Sequence, residues 1–350
     1  MNRREFVGST LTLCGRLLLP AGILTAAGCA QSANPKPRVM KGATMGTYYR
    51  VTVDSGLTAA EIAELRSGID SVFERVISGM STYDKRSTLS RLNSANDSAW
   101  HAIDTDLLKV LREAERVSTL TGGAFDATVG PLVNLWGFGA DLHTTSVPDQ
   151  QSIASALART GYRLVALKNT PVEVRKGHPE AYIDLSAIAK GFAVDEVGRF
   201  LESRGIREYL VDIGGDLRAG AHKRNGSPWR IAVETPEPVG RGVQRILDVS
   251  ATGVATSGDY RNFFEQDGRR YCHTLDPRTG RPVMHNLASV TVLDASVMTA
   301  DALATGLMVM GAQAGFEFAQ AHAIPALFIS REPAGLKESY TPTFVPYLSG

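Results

Sequence analysis

Apolar and polar positions alternate in 46-GTYYRVTV-53, which predicts a strand. In 58-TAAEIAELRSGIDSVFERVISGM-80 the apolar positions recur every three to four residues, which predicts an amphipathic helix, and Asp104 to Thr121 predicts a second. Further strands are expected over 181-AYIDL-185, 208-EYLVDI-213, 229-WRIAVE-234, 270-RYCHTL-275 and 288-ASVTVL-293, with helices over Ala189 to Ser203 and Ala300 to Met310. The two kinds of element are mixed without regular alternation, so the pattern argues for an α+β fold rather than a doubly wound parallel sheet. Nothing divides residues 39–347: no internal repeat, charge run or low-complexity linker occurs there, and a single large mixed domain is expected.

One segment breaks its own pattern. In 297-VMTADALATGLMVMG-311 apolar or small residues occupy nearly every face from Ala300 onward, as in a helix buried on all sides, yet Asp301 stands at its head. Either Asp301 caps the first turn, or it and Thr305, one turn later on the same face, direct two hard oxygens at a positive group. A second anomaly is GGAFDATVGPLVNLWGFG, from Gly122 to Gly139, which is too rich in glycine and too apolar for a solvated linker and reads as a packed, functional loop.

Composition narrows the class without naming a function. A chain of 350 residues, 43% hydrophobic and 21% charged, can bury a sizeable core. With 37 Lys+Arg against 36 Asp+Glu, no global field recruits nucleic acid or an anionic membrane. Residues 1–29 read as an export signal: a basic stretch with Arg3, Arg4 and Arg16, then a short apolar run from Leu17 to Ala27 and small residues before Cys29. NRREFVG resembles a twin-arginine signal and AAGC a lipobox with Ala26 in place of the usual large aliphatic residue, so Cys29 is the expected lipidation site, with residues 30–38 as a tether. Cleavage near Ala27 or Ala30 without lipidation is the alternative. Beyond the signal only Cys29 and Cys272 remain, too few for a disulfide framework.

Several stretches could carry chemistry. Asp184 falls near a predicted strand end and Lys190 near a helix start, where free N–H groups, the helix dipole and an ammonium can hold a phosphate, with Gly191 permitting close approach. The alternative is an ordinary surface lysine. 212-DIGGD-216 is neither GxGxxG nor a P-loop and reads as a tight turn. Phe125 and Asp126, beside paired glycines, suit either a flat aromatic ligand or a packed turn. Cys272 and His273 are strand neighbours and point to opposite faces, so a Cys-His dyad is not expected; His273 is a candidate general base or a structural histidine. No HExxH, paired CxxC or GxSxG occurs.

Taken in order, MGTYYRV, MSTYDKRSTLSRLN, GGAFDATVGPLVNLWGFG, IDLSAIAKGFAVDEV, DIGGDLRAGA, ATSGDYRNFF, HTLDPRTGRPV and TADALATGLMVMG resemble the ApbE family of FAD:protein FMN transferases, from about Met45 to Gly311. The resemblance implies an exported, magnesium-dependent enzyme, with manganese as the alternative metal. Such an enzyme cleaves its substrate FAD and attaches FMN through a phosphoester to a threonine of a partner protein, releasing AMP. Typical partners are subunits of membrane-bound, ion-translocating flavoprotein complexes, and the expected location is the periplasmic side, tethered by lipid to the inner membrane. By the same resemblance Asp301, Thr305 and the Ala187 carbonyl would hold the metal, three oxygen donors suited to magnesium. Met45, Tyr83, Ala124, Phe125, Asp126, Asp184, Lys190 and Leu275 would contact FAD, Lys190 would help neutralise the pyrophosphate, and His273 would take the proton of the acceptor hydroxyl. Two other activities use the same residues. One is a metal-dependent FAD pyrophosphatase giving FMN and AMP; the other is an exported FAD-binding lipoprotein without turnover.

Overall fold

The computed structural model describes residues 36–139, 146–237 and 242–349. At its centre is an eight-stranded sheet: β1 (Arg38–Thr44), β2 (Thr47–Val53), β3 (Tyr209–Ile213), β4 (Asp216–Ala219), β5 (Thr252–Gly258), β6 (Leu287–Asp294), β7 (Ala326–Glu332) and β8 (Gly335–Tyr340). Spatial order equals chain order and each neighbouring pair is antiparallel. Three of the connections are two-residue turns, Pro333 and Ala334 joining β7 to β8. Met45 and Gly46 join β1 to β2 at φ 48° and 73°, and Gly214 and Gly215 join β3 to β4 at φ 60° and 101°. These last two turns need left-handed backbone, which matches the twist of a tight hairpin; glycine accepts it freely and Met45 does not.

Longer insertions between the strands cover the two faces of the sheet. On one face lie α1 (Ala59–Met80), α2 (Thr105–Leu120), α3 (Ala189–Ser203) and α4 (Val297–Met310), packed around Ile69, Val110, Phe192, Leu303 and the inward residues of the sheet. On the other lies the hairpin Trp229–Glu234/Val243–Val249, with Phe344 filling the space beside it. Neighbouring strand residues divide between these two cores, Val254 from Ala255, Leu293 from Val292 and Leu327 from Phe328, as a side-chain period of two requires. Burial on both faces reaches the two polar residues of 288-ASVTVL-293 as well: Ser289 and Thr291 are each 1% exposed, and Thr291 Oγ1 lies 2.8 Å from Thr256 Oγ1 of β5. The expected α+β class in one mixed domain is the observed one: Pro35–Gly350 forms one compact unit.

The structure corrects several element boundaries. Residues 181–185 form no strand. Ile183 instead donates to and accepts from the side-chain amide of Asn93, both at 2.8 Å, and Asp184 N–H donates to Ala127 O at 2.7 Å. One amide side chain thus replaces a neighbouring strand. The strand expected over 270–275 stops at Cys272, and His273 lies between it and the next short bridge at Leu275–Asp276. α4 begins at Val297 rather than Ala300. The glycine-rich loop contains a short helix, Gly130–Leu135, while β1, the helices Thr88–Ser94 and Gln150–Leu157 and a three-stranded sheet of Trp100–Ala102, Val172–Lys176 and Val165–Asn169 had no clear periodic signal. The expected export signal, with Cys29, lies outside the described residues, as does most of the expected tether. Among the described residues no helix is long and apolar enough to cross a membrane.

Candidate functional site

A cavity of about 890 Å³ opens along the sheet face under the 229–249 hairpin and extends to the junction of α3 and α4. Arg50 and Thr52 of β2, Asp212 of β3 and Leu217 of β4 form its floor, and Ile231 and Val233 form its roof. At the junction end it meets Asp184, Ala187, Lys190, Asp301 and Thr305, and His273 and Leu275 stand in the wall. The Ala124-Phe125-Asp126 run completes that end, held against α4 where Gly306 lacks a side chain; a Cβ at Gly306 would lie 3.3 Å from Phe125 Cβ. Met45 and Tyr83 are not among the lining residues. Met45 packs against the main core from its turn, and Tyr83 is 73% exposed. The Tyr83 phenol has a raised pKa, through partial desolvation and then the charge of Asp184.

The junction itself is unusually close. A Cβ on Gly191, in the first turn of α3, would lie 2.5 Å from the Val297 carbonyl oxygen of α4. The glycine therefore admits another helix, where the sequence had suggested room for a phosphate. The carboxylate that caps α4 is also not Asp301. Ser296 is the N-cap residue, and Asp195, reaching across from α3, accepts Val297 N–H at 3.1 Å, Met298 N–H at 3.2 Å and Ser296 Oγ–H at 2.7 Å. Arg218 balances the fully buried Asp195 from 2.9 Å. Asp301 is one turn further in, and its Oδ2 accepts Gly191 N–H at 3.3 Å. One of the N–H groups that the sequence offered to an anion is thus already given to a carboxylate of the chain.

Charge at this end is out of balance. Lys190 hydrogen-bonds Asp216 and stands 3.8 Å from Asp301, so one ammonium faces two carboxylates. Burial, and then the charge of Asp216, push the Asp301 carboxyl up to about 7, against the opposing pull of Lys190 and Gly191 N–H. The Lys190 ammonium is held above its ordinary range by Asp216 and Asp301, in spite of its own burial. A cation at Asp301 would relieve the excess. Asp301, the Thr305 hydroxyl and the Ala187 carbonyl are hard oxygen donors, too few to enclose an ion, and so suit magnesium, which keeps waters and takes phosphate oxygens. Among the described residues no group of three or more His, Cys, Asp or Glu side chains is placed for metal binding.

His273 is fixed through backbone. Its N–H donates to Asn262 O at 3.0 Å and its Nδ1 lies 3.1 Å from the same carbonyl. A carbonyl only accepts, so Nδ1 carries the hydrogen and Nε2 is left as the basic nitrogen. Burial holds the imidazole pKa below 6.5, Lys190 lowers it further, and Asn262 and Asp259 act against them. Cys272 turns away, with its Sγ 3.7 Å from the carbonyls of Thr274 and Val283, so no Cys-His dyad forms.

Two other carboxylates are committed to the fold. Asp126 is buried and accepts Thr128 N–H and Oγ–H at 2.7 and 2.6 Å and Tyr162 N–H at 2.7 Å, which leaves it a knot in the cavity wall. Asp184 accepts Ser186 N–H at 2.8 Å and closes the turn that leads to Ala187. Sequence reasoning missed the roles of Asp216, Asp195 and Asn262. DIGGD is the tight turn it was expected to be, but the aspartate that ends it is 2% exposed on a strand and partners Lys190. Its signal was an acidic residue at a core-facing strand position.

With this geometry in place, the comparisons with known proteins are specific. The model of the ApbE family matches residues 45–328. A FAD:protein FMN transferase of Vibrio cholerae is 46% identical over 333 residues, 95% of this chain and 98% of that relative. One of Salmonella typhimurium is 38% identical over 350 residues, covering 97% and 98%. Among solved structures, a flavin transferase of Vibrio cholerae superposes with TM-score 0.81 at 45% identity, over 89% of this chain and 99% of that one. The apo flavinyl transferase of Pseudomonas stutzeri superposes with TM-score 0.81 at 37% identity, over 90% and 98%.

Proposed function

This chain belongs to the ApbE family, and from that premise we propose that it is a FAD:protein FMN transferase, magnesium-dependent, that joins FMN to a threonine hydroxyl of a protein acceptor. The observation that carries the reading is the Lys190, Asp216 and Asp301 cluster at the closed end of a cavity large enough for a dinucleotide, with His273 in the same wall. Two carboxylates against one ammonium repel a pyrophosphate on their own; with a divalent cation on Asp301, Thr305 and the Ala187 carbonyl the same end attracts one. Bound magnesium would supply charge neutralisation for the two phosphates.

The chain's own residues then divide the work. Ala124, Phe125 and Leu275 offer apolar wall to the substrate, with Asp126 and Asp184 holding that wall in shape; Met45 and Tyr83 would join from the rim as the cavity fills. Lys190, anchored by Asp216, keeps a positive charge beside the phosphates. The acceptor oxygen attacks the phosphorus on the FMN side, its proton passes to His273 Nε2, and the bond from that phosphorus to the AMP oxygen breaks, AMP leaving with the electron pair.

Incubating the signal-less protein with FAD, magnesium and a fusion bearing an acceptor threonine tests this. A covalent FMN adduct by intact mass, with AMP in solution, is expected, and both should vanish in Asp301→Ala or with EDTA. FMN and AMP without adduct would make the protein a pyrophosphatase, and retained FAD with neither product would make it a flavin-binding protein. The same proposal includes export to the periplasmic side, lipid attachment at Cys29 to the inner membrane, and acceptors among subunits of ion-translocating redox complexes there. It is supported by the basic, apolar and small-residue succession before Cys29. Palmitate labelling of cells expressing the full chain, lost in Cys29→Ala, checks the anchor.

A further inference from the structure

The loop from Gly258 to Asn262 supplies the carbonyl on which His273 hangs, and its anchorage comes from a distant strand. Asp259 is gripped in three ways. Its N–H donates to Ala288 O at 3.1 Å, its carbonyl accepts Arg270 Nη2–H at 2.9 Å, and its carboxylate takes a two-pronged bond from Arg331 at 2.8 and 2.6 Å. Arg331 belongs to β7, and its own backbone is fixed by Asn286, which accepts from its N–H at 2.8 Å and donates to its carbonyl at 3.1 Å. A planar guanidinium bonded through both terminal nitrogens to both carboxylate oxygens sets direction as well as distance. Three residues beyond Asp259, the Asn262 carbonyl accepts both His273 N–H and Nδ1–H.

We propose that Arg331 is a positioning residue for the base: through Asp259 it fixes the loop whose Asn262 carbonyl holds the His273 imidazole in its Nδ1–H tautomer. This rests on reading His273 as the base. Arg331 lies beyond residue 328, where the family match ends, and is not among the residues that line the cavity. Electrostatics support the geometry. The groups that act on the buried imidazole are the Asn262 carbonyl and then Asp259, which favour its protonation, and Lys190, which opposes it. Arg331 partly neutralises Asp259, so its removal frees that carboxylate to raise the imidazole pKa, while a loosened Asn262 bond lowers it.

The test uses Arg331→Gln, Arg331→Lys, Asp259→Asn and His273→Gln, each checked for folding by circular dichroism. Arg331→Gln should lower kcat for FMN transfer about tenfold and leave KM for FAD within about twofold. Arg331→Lys, with charge but no fork, should fall between it and the parent. Nitrogen-15 NMR of labelled histidine, with the His273 signal identified by its loss in His273→Gln, should show Nδ1–H in the parent and a mixed or Nε2–H tautomer in Arg331→Gln and Asp259→Asn, without substrate or metal. An unchanged tautomer, or a KM effect with kcat intact, overturns the proposal. If His273→Gln keeps full kcat, the base reading fails by itself, and the tautomer alone decides what Arg331 does. Should Arg331→Gln not fold, Arg331→Lys carries the same readouts, and an unchanged tautomer there overturns the proposal equally.

Discussion

Gly191 N–H donates to the Asp301 carboxylate at 3.3 Å across a sequence separation of 110 residues, which joins the start of α3 to the first turns of α4. The bond exists because the two helices approach within a distance that only glycine allows. Everything proposed for metal binding depends on that approach.

Gly191→Ala should therefore damage both packing and activity. The added methyl meets backbone, which cannot rotate aside, so a loss of about 1–3 kcal/mol is expected, read by urea unfolding. Metal-dependent transfer should fall with it. A variant of unchanged stability and activity would show that the helices can part at no cost.

Asp301→Asn separates stability from catalysis. It removes one of two carboxylates facing a single ammonium, so the metal-free protein should unfold within about 1 kcal/mol of the parent or be more stable. Transfer should drop about 100-fold or more, since the amide is a poor metal ligand. Calorimetry of magnesium with FAD present gives the binding half of the comparison; unimpaired binding would remove Asp301 from the metal set.

Asp195→Ala strips the cap of α4 and leaves Arg218 facing an empty place. A cost of about 3–5 kcal/mol is expected from denaturant unfolding, because the lost partner is a buried ion pair member and accepts three further bonds. A cost near zero would mean that water replaces the carboxylate.

Asn93→Ala tests the amide that stands in for a strand. Ile183 N–H and C=O would lose their partners inside the protein, at about 2–4 kcal/mol for the two groups. Asn93→Asp keeps an acceptor but no donor and should lie between. Equal stabilities for Ala and Asp would show that only one of the two bonds matters.

Burial lowers the folded-state pKa of His273 and of His285 below 6.5. The unfolded chain then binds the proton more readily, so stability is full above pH 6.5 and declines as pH falls through the lower folded-state values. In His273→Gln this slope should be shallower. The acid limb of kcat/KM should likewise lie below pH 6.5, because the base must be neutral. An acid limb above 6.5 would point to another group.

Much of the fold is legible in the chain alone. α1, from Thr58 with its capping box to Met80, follows from periodicity and a capping pair, and α2 from Asp104 likewise, because caps and period are local properties of the chain. The α+β class follows from the same signals, and the family from short motifs in order. The 181–185 segment misleads for an equally local reason: apolar and β-branched residues mark a buried extended stretch, and only the fold decides whether a strand or an asparagine lies beside it.

The site shows the same division. The sequence by itself placed Lys190, Asp301, Thr305 and His273 as candidates, since a carboxylate in an apolar helix is anomalous wherever the chain goes. It did not reveal that Asp195 caps α4, that Asp216 claims Lys190, or that Arg331 reaches Asp259. Those partners come from strands and helices that meet only when the sheet closes, and charge balance, tautomer and helix approach are properties of that meeting.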